Sequence, residues 1–334
     1  MTLLRKISFV VALALAGVAQ LGAAETVLLN ASYDVTREFY KEYNPAFVAH
    51  WKTISPGDTL AIQQSHGGSS KQIRSVIDGL PADVVTMNGV PDVDQLAKAG
   101  LIPADWAKRL PNNSVPYTST ILFVVRKGNP KGIKDWSDLV REGVSVVIPN
   151  PKISGNGRYS YLAAWIFALH QPGGSEATAR EFVKKLFGNV PVLDAGGRAA
   201  TTTFAQRGIG DVLLTFENEA ALLVSELGQG SVETVVPSAS ILAENPVVWV
   251  DKVVGKKETE KAAKAYLEYL FSPEAQAIAA RNYFRPFDQN ALAKYPGRFP
   301  SLPLYSVPEI FGSWEKAQKT HFADGGTFDQ IYQK

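Results

Sequence analysis

TSTILFVVR (residues 118–126) and VVWVDKVV (247–254) decide the fold. Both are runs of apolar, mostly β-branched residues, the pattern of a strand buried on both faces. They bracket a middle block, 127–246, and strand-like and helix-like segments alternate on either side of each. That alternation is the signature of an α/β fold with largely parallel sheets. A chain that leaves one unit through 118–126 and returns through 247–254 builds two lobes. The expected division is 25–117 with 246–334 as the first lobe and 118–245 as the second. The two long strands are then crossovers, and the cleft between the lobes is the natural ligand site.

Within the first lobe the sequence predicts strands at 26–30, 60–64 and 83–87, with helices at 35–51, 71–80 and 93–99. The middle block predicts strands at 144–148, 191–194, 211–216 and 232–237, and helices at 157–170, 176–187 and 217–227. Helices at 258–271 and 273–281 follow the second long strand. The tail after Phe287, rich in proline, aromatic and charged residues, is expected to wrap the surface.

Residues 1–24 read as a secretory leader. Arg5 and Lys6 precede an apolar run from Ile7 to Val18, and Gly22-Ala23-Ala24 offers a small-residue cleavage site near Ala24. The apolar run is too short for the roughly 30 Å of a membrane core. The chain carries 34 Lys+Arg against 32 Asp+Glu, a formal charge of +2. Losing Arg5 and Lys6 with the leader makes bases and acids equal. Such a balance argues against nucleic acid as a partner, since that needs a basic face. With no cysteine there is no disulfide, no thiolate metal site and no cysteine nucleophile.

Three loops share one pattern: a strand, a tight Gly/Ser-rich turn, then a helix start. They are QSHGGSSK (64–71), PKISGNGR (151–158) and DAGGR (194–198). Glycine lets backbone approach a ligand closely. The first N–H groups of a helix lack intrahelical partners and carry positive partial charge, so three helix starts facing one cleft make an anion site. Each loop alone reads more simply as an ordinary strand–helix turn with a serine cap, and it is three of one kind that point to binding. The spacing of 67–71 does not fit a phosphate loop. His66 with Ser69 or Ser70 leaves room for an exported hydrolase, although no nucleophile motif accompanies them. Glu217 and Glu219 sit at a helix start, where a favourable dipole interaction accounts for them. Asp92 and Asp94 lack the rest of a calcium loop. Tyr159 and Tyr161, two apart on a helix, cannot ligate one metal together. No metal and no cofactor is expected.

Long stretches then become recognisable: LLNASYDVTRE (28–38), QSHGGSSKQ (64–72), ADVVT (82–86), RLPNNSVPYTST (109–120), VRKGNPK (125–131), PNPKISGNGRY (149–159), GDVLLTFENEA (210–220), ILAENPVVWVDKVV (241–254) and GGTFDQI (325–331). Across them the chain resembles the periplasmic sulfate- and thiosulfate-binding proteins of ABC importers. The resemblance implies a two-lobed periplasmic binding protein of type II, monomeric, that hands its ligand to a membrane permease. It implies a dehydrated dianion held by the backbone N–H groups of Asp34, Ser69, Gly155, Asn156 and Gly197 and by the Ser154 hydroxyl. Sulfate-binding members carry a tryptophan where this chain has Phe216, and a phenyl ring donates no hydrogen bond. Phe216, Asn156, Ser69-Ser70 and GGRAATTTF (196–204) resemble the thiosulfate branch. Arg158 and Arg198 flank two of the loops and are expected to orient them through salt bridges, with a solvated helix-start arginine the equal alternative for Arg158. A binder of another oxyanion, such as molybdate or a sulfonate, is the alternative to sulfate and thiosulfate.

Overall fold

The computed structural model describes residues 25–227 and 231–333; the leader at 1–24 lies outside the described residues. Fourteen strands appear in chain order among them: β1 Thr26–Tyr33, β2 Leu60–Gly67, β3 Val84–Thr86, β4 Tyr117–Ser119, β5 Ile121–Arg126, β6 Val146–Pro149, β7 Leu193–Asp194, β8 Val212–Phe216, β9 Val232–Val235, β10 Ser240–Ile241, β11 Ala243–Glu244, β12 Val247–Trp249, β13 Arg285–Pro286 and β14 Leu304–Tyr305. They form two main sheets, one per lobe, with helices packed against each. The first has the order β12-β3-β1-β2, with β1 parallel to both β2 and β3 and β12 antiparallel at the edge. The second, β7-β6-β8-β5-β9, is parallel across β7, β6 and β8 and antiparallel at β5 and β9. The expected parallel sheets are therefore mixed, because strands that arrive from the other lobe, such as β5, enter in the opposite direction.

The two deciding stretches are each divided. Residues 118–126 break at Thr120 into β4 and β5, and the Thr120 carbonyl accepts the Glu217 N–H at 2.9 Å. β4 lies in a small antiparallel sheet, β11-β4-β13, outside both main sheets, whereas β5 belongs to the second. The expected return crossover at 247–254 is corrected in the same way. The return runs through β11, paired with β4 by Ala243 opposite Ser119. Only Val247–Trp249 is a strand, and Asp251–Lys257 is a helix. Its charges fit the helix dipole, with Asp251 in the first turn and Lys256 and Lys257 in the last, but the valine run masks this in the sequence.

Aromatic side chains fill the first lobe at helical spacing. Phe39, Tyr43, Phe47 and Trp51 recur every fourth residue on the Arg37–Ile54 helix, all buried. Phe39 stacks on Tyr43 and Tyr43 on Phe47, with centroids 5.4 and 6.4 Å apart, and Tyr266 closes the row. The tail wraps the molecule and from β14 onward touches both lobes, Trp314 lying beside Gly89 of the first. β14 pairs with β10, Tyr305 stacks on His170, and Phe328 packs on Tyr161 and Phe187. Among the described residues no helix is long and apolar enough to cross a membrane.

Candidate functional site

The three Gly/Ser loops meet at one place. Each leads from the C-terminal end of a sheet strand into a helix: Ser69–Ile77 after β2, Gly155–Leu169 after β6 and Gly197–Ala205 after β7. Gly68 of the first lobe lies so close to the second that a Cβ there would stand 2.9 Å from the Ala195 carbonyl oxygen and 3.7 Å from that of Ile153. Gly155 faces the loop after β3, where a Cβ would fall 2.3 Å from the Asn88 Cβ. No side chain fits at that distance. The space beside Gly197 is bounded by Val35 and the Asn156 amide.

The residues singled out in the sequence are brought together here, and most of their side chains are already engaged. Ser154 caps its helix, accepting the Gly157 N–H at 3.4 Å, while its carbonyl accepts that of Arg158 at 3.0 Å. The N–H groups of Gly155 and Asn156, one turn too early for intrahelical acceptors, point out of the helix start. The Asn156 amide donates to Thr215 Oγ1 at 3.1 Å, locking the loop to the end of β8. Phe216, next to Thr215, is buried edge-on between Tyr33 and Tyr159, with centroids 6.3 and 5.9 Å away. The Asp34 carboxylate reaches across from the first lobe and accepts the Arg198 N–H at 3.1 Å. Burial pushes that carboxyl above its usual range, and the Arg198 N–H holds it partly down. The Ser69 hydroxyl donates to Asp92 Oδ2 at 2.6 Å and accepts the Asn88 N–H at 3.2 Å, which leaves its backbone N–H as the group to face a ligand.

Both flanking arginines are occupied by carboxylates. Arg158, from the second lobe, is buried and donates to Asp92 Oδ2 at 2.5 Å and to Ser70 Oγ at 3.0 Å. It is not a solvated helix-start arginine but a pin across the seam. Asp92, set aside in the sequence as half a calcium loop, is its partner; only the folded topology brings the two together. Arg198 lies 3.4 Å from Glu219 Oε1. Glu219 is fully buried, and its carboxyl is pushed up to about 7 by burial, with Arg198 holding it down and the Asp34 and Glu226 charges adding to the rise. A carboxyl raised in the folded state stabilises the protein below its unfolded value and loses that contribution as pH climbs through the folded one. Glu219→Gln should therefore raise stability at pH 8 by on the order of 2–3 kcal/mol relative to its effect at pH 5, read as parallel thermal melts.

The other sequence candidates separate from this place. His66 Nδ1 lies 2.6 Å from Ser32 Oγ, and burial lowers its ring to about 4. With the hydroxyls of Ser69 and Ser70 on Asp92, no nucleophile–base pair forms among these residues. Glu217 is paired with Arg285 at 2.6 Å. The Tyr159 hydroxyl donates to the Glu244 carbonyl, whereas that of Tyr161 meets His321. Asn88, which shapes the seam, carried no signal in the sequence.

Comparison with known proteins shows the family of the chain. A thiosulfate-binding protein of Pseudomonas aeruginosa is 61% identical over 327 residues, covering 97% of this chain and 98% of that protein. A sulfate-binding protein of Salmonella typhimurium is 59% identical over 309 residues, 92% of this chain and 94% of its own length. The solved structure of the sulfate-binding protein SubI from Mycobacterium tuberculosis superposes with a TM-score of 0.80 at 32% identity, covering 89% of this chain and all of that one. Residues 28–285 match the family model of the bacterial extracellular solute-binding proteins, and the chain belongs to that family.

Proposed function

We propose that this protein captures thiosulfate or sulfate between its lobes in the periplasm and delivers the anion to the membrane permease of an ABC importer. The observation that carries the reading is the convergence of three helix starts beside two arginines that each already face a carboxyl of the protein, Asp92 and Glu219. The site would hold a dianion by aimed N–H groups rather than by a cation. The donors are the backbone N–H groups of Asp34, Ser69, Gly155, Asn156 and Gly197 and the hydroxyl of Ser154, which keeps its proton free while accepting from Gly157. Hydrogen bonds to a charged group contribute roughly 1.5–3 kcal/mol each. Six therefore exceed the ~8 kcal/mol of a micromolar complex before the cost of closure is subtracted. The protein acts as a carrier and not as an enzyme, in keeping with the engaged serines and the neutral His66. Residues 1–24 would be removed near Ala24 on export. The lobes would be 25–117 with 246–334, and 118–245, hinged at the β4–β11 pair.

A site of donors favours anions that bring no proton, and the Asp34 carboxylate already accepts the Arg198 N–H. Titration calorimetry of the mature protein should give micromolar or tighter binding of thiosulfate and sulfate and none of phosphate; comparable phosphate affinity would refute the reading. Two relatives at 61% and 59% identity bear different anion names, so the local residues decide between the anions. Phe216 favours thiosulfate, whose large, soft sulfur accepts hydrogen bonds poorly and suits an apolar ring. Phe216→Trp restores an indole donor and should shift the affinity ratio toward sulfate by about tenfold, the worth of one such bond. An unchanged ratio would remove the ring from the argument.

A further inference from the structure

The GGTFDQI motif (325–331) has no part in the donor set, yet its Asp329 reaches the turn that leads into Ser154. Lys152, two residues before Ser154, extends its ammonium into the tail. Its Nζ donates to Asp329 Oδ2 at 2.9 Å, to Asp324 Oδ1 at 3.1 Å and to the Ala323 carbonyl at 3.4 Å. These three acceptors satisfy the three protons of an ammonium group. We propose that Asp329, with Asp324, positions the anion-binding turn through Lys152, so that the C-terminal motif is a positioning element of the site.

The turn itself is small. The Asn150 carbonyl accepts the N–H groups of Ile153 and Ser154 at 3.2 and 2.9 Å, and the Asn150 side chain accepts that of Lys152 at 2.9 Å. The Asn150 N–H in turn donates to the carbonyl of Asp194, which precedes the Gly196-Gly197 loop. Tilting this turn would therefore move the N–H groups of Gly155 and Asn156 and disturb the neighbouring loop as well. Pro151 is buried while Ile153 is largely exposed, and the Lys152 ammonium between them ties the outer side of the turn to the tail.

The tail is built to hold Asp329 in place. Gly325 takes a φ of +74°, and its N–H donates to Asp329 Oδ2 at 2.9 Å. The Gln330 amide donates to the Gly325 carbonyl at 2.7 Å, while its oxygen accepts from Arg180 at 2.6 Å. Phe328 anchors the segment on Tyr161 and Phe187 of the second lobe. The Lys152 ammonium and the Gly325 N–H together hold the Asp329 carboxyl below the usual range.

The inference rests on the anion-binding reading, and one set of variants separates the two. Thiosulfate and sulfate are titrated into the mature full-length protein, its Asp329→Asn and Lys152→Met variants, the double variant and Lys152→Arg. Amide hydrogen exchange at Ile153 and Ser154, whose N–H groups donate to the Asn150 carbonyl, is followed without ligand. Each single variant should lose about tenfold in affinity, with the double no weaker than the weaker single, the non-additivity expected of one shared contact. Lys152→Arg should recover to within about threefold, since it keeps the cation. Exchange at the two amides should quicken about tenfold in the single variants. Affinities and exchange within twofold of the unmodified protein, even with a lowered melting point, would overturn the proposal, and so would additive losses. If the unmodified protein binds neither anion, the anion reading falls and the exchange rates still decide the positioning. Asp324→Asn, which leaves Asp329 in place, should give a smaller loss of the same kind and serves if the others fold poorly.

Discussion

Gly155→Ala should weaken thiosulfate and sulfate binding by on the order of a hundredfold or more, a loss of about 2.7 kcal/mol. The added Cβ would stand 2.3 Å from the Asn88 Cβ and 2.7 Å from the Asn88 Cγ and Nδ2. Real Cβ atoms do not approach that closely, so either Asn88 or the anion turn must move. Overpacking of this kind costs roughly 1–3 kcal/mol where it occurs. Here the residues in conflict belong to opposite lobes, so the cheapest relief is to hold the lobes apart. The damage should then appear in affinity and hardly in the melting point of the unliganded protein. Asn88→Gly removes the opposing Cβ and should restore much of the binding in the double variant. Gly188→Ala, where nothing lies within 4 Å of the new Cβ, is the silent control. Calorimetric titration of the four proteins decides it: a Gly155→Ala protein that binds within about threefold of the original would mean the anion is held with the seam open.

Asp83→Ala should produce the opposite pattern, a large loss of stability with the site intact. Asp83 is fully buried at the start of β3, at the far end of the strands from the loops. Its carboxylate accepts the Leu29 N–H at 2.7 Å, the Lys257 ammonium and the Thr259 hydroxyl, tying β1 to two helices that follow β12. Truncation strands a buried N–H and a half-buried cation. Removing one partner of a buried pair costs about 3–5 kcal/mol. At roughly 2–4 °C per kcal/mol, the melting point should fall by about 10 °C. Asp83→Asn, which keeps the shape and one acceptor, should fall less. In the protein that remains folded, thiosulfate affinity should be unchanged. A melting point lowered by under about 2 °C would show that the helices hold their places without this carboxylate.

The two-lobed α/β plan was legible because buried strands and Gly/Ser helix starts are local signals. The three loops were found at their true positions, although β2 runs on to Gly67 and its helix starts at Ser69, two residues before the expected 71. What failed depended on partners distant in sequence. Nothing in TSTILFVVR tells that its first residues pair with β11 and β13 and the rest with β8 and β9, because apolar strands look alike whichever sheet receives them. VVWVDKVV concealed a helix since β-branched residues suggest strand wherever packing does not overrule them. The pairing of Arg158 with Asp92 spans 66 positions and leaves no periodic trace.

The tail that crosses to the second lobe has a consequence for how the chain is made. During synthesis the N-terminal portion emerges first, and domains commonly fold as they appear. Here the first lobe waits for β12, since its sheet is incomplete before residue 249. The second waits longer still: Tyr161 and Phe187, although made at mid-chain, reach their final neighbours only when Phe328 arrives. The first lobe can therefore close its sheet well before the last residues appear, whereas the second completes its core only when the end of the chain arrives.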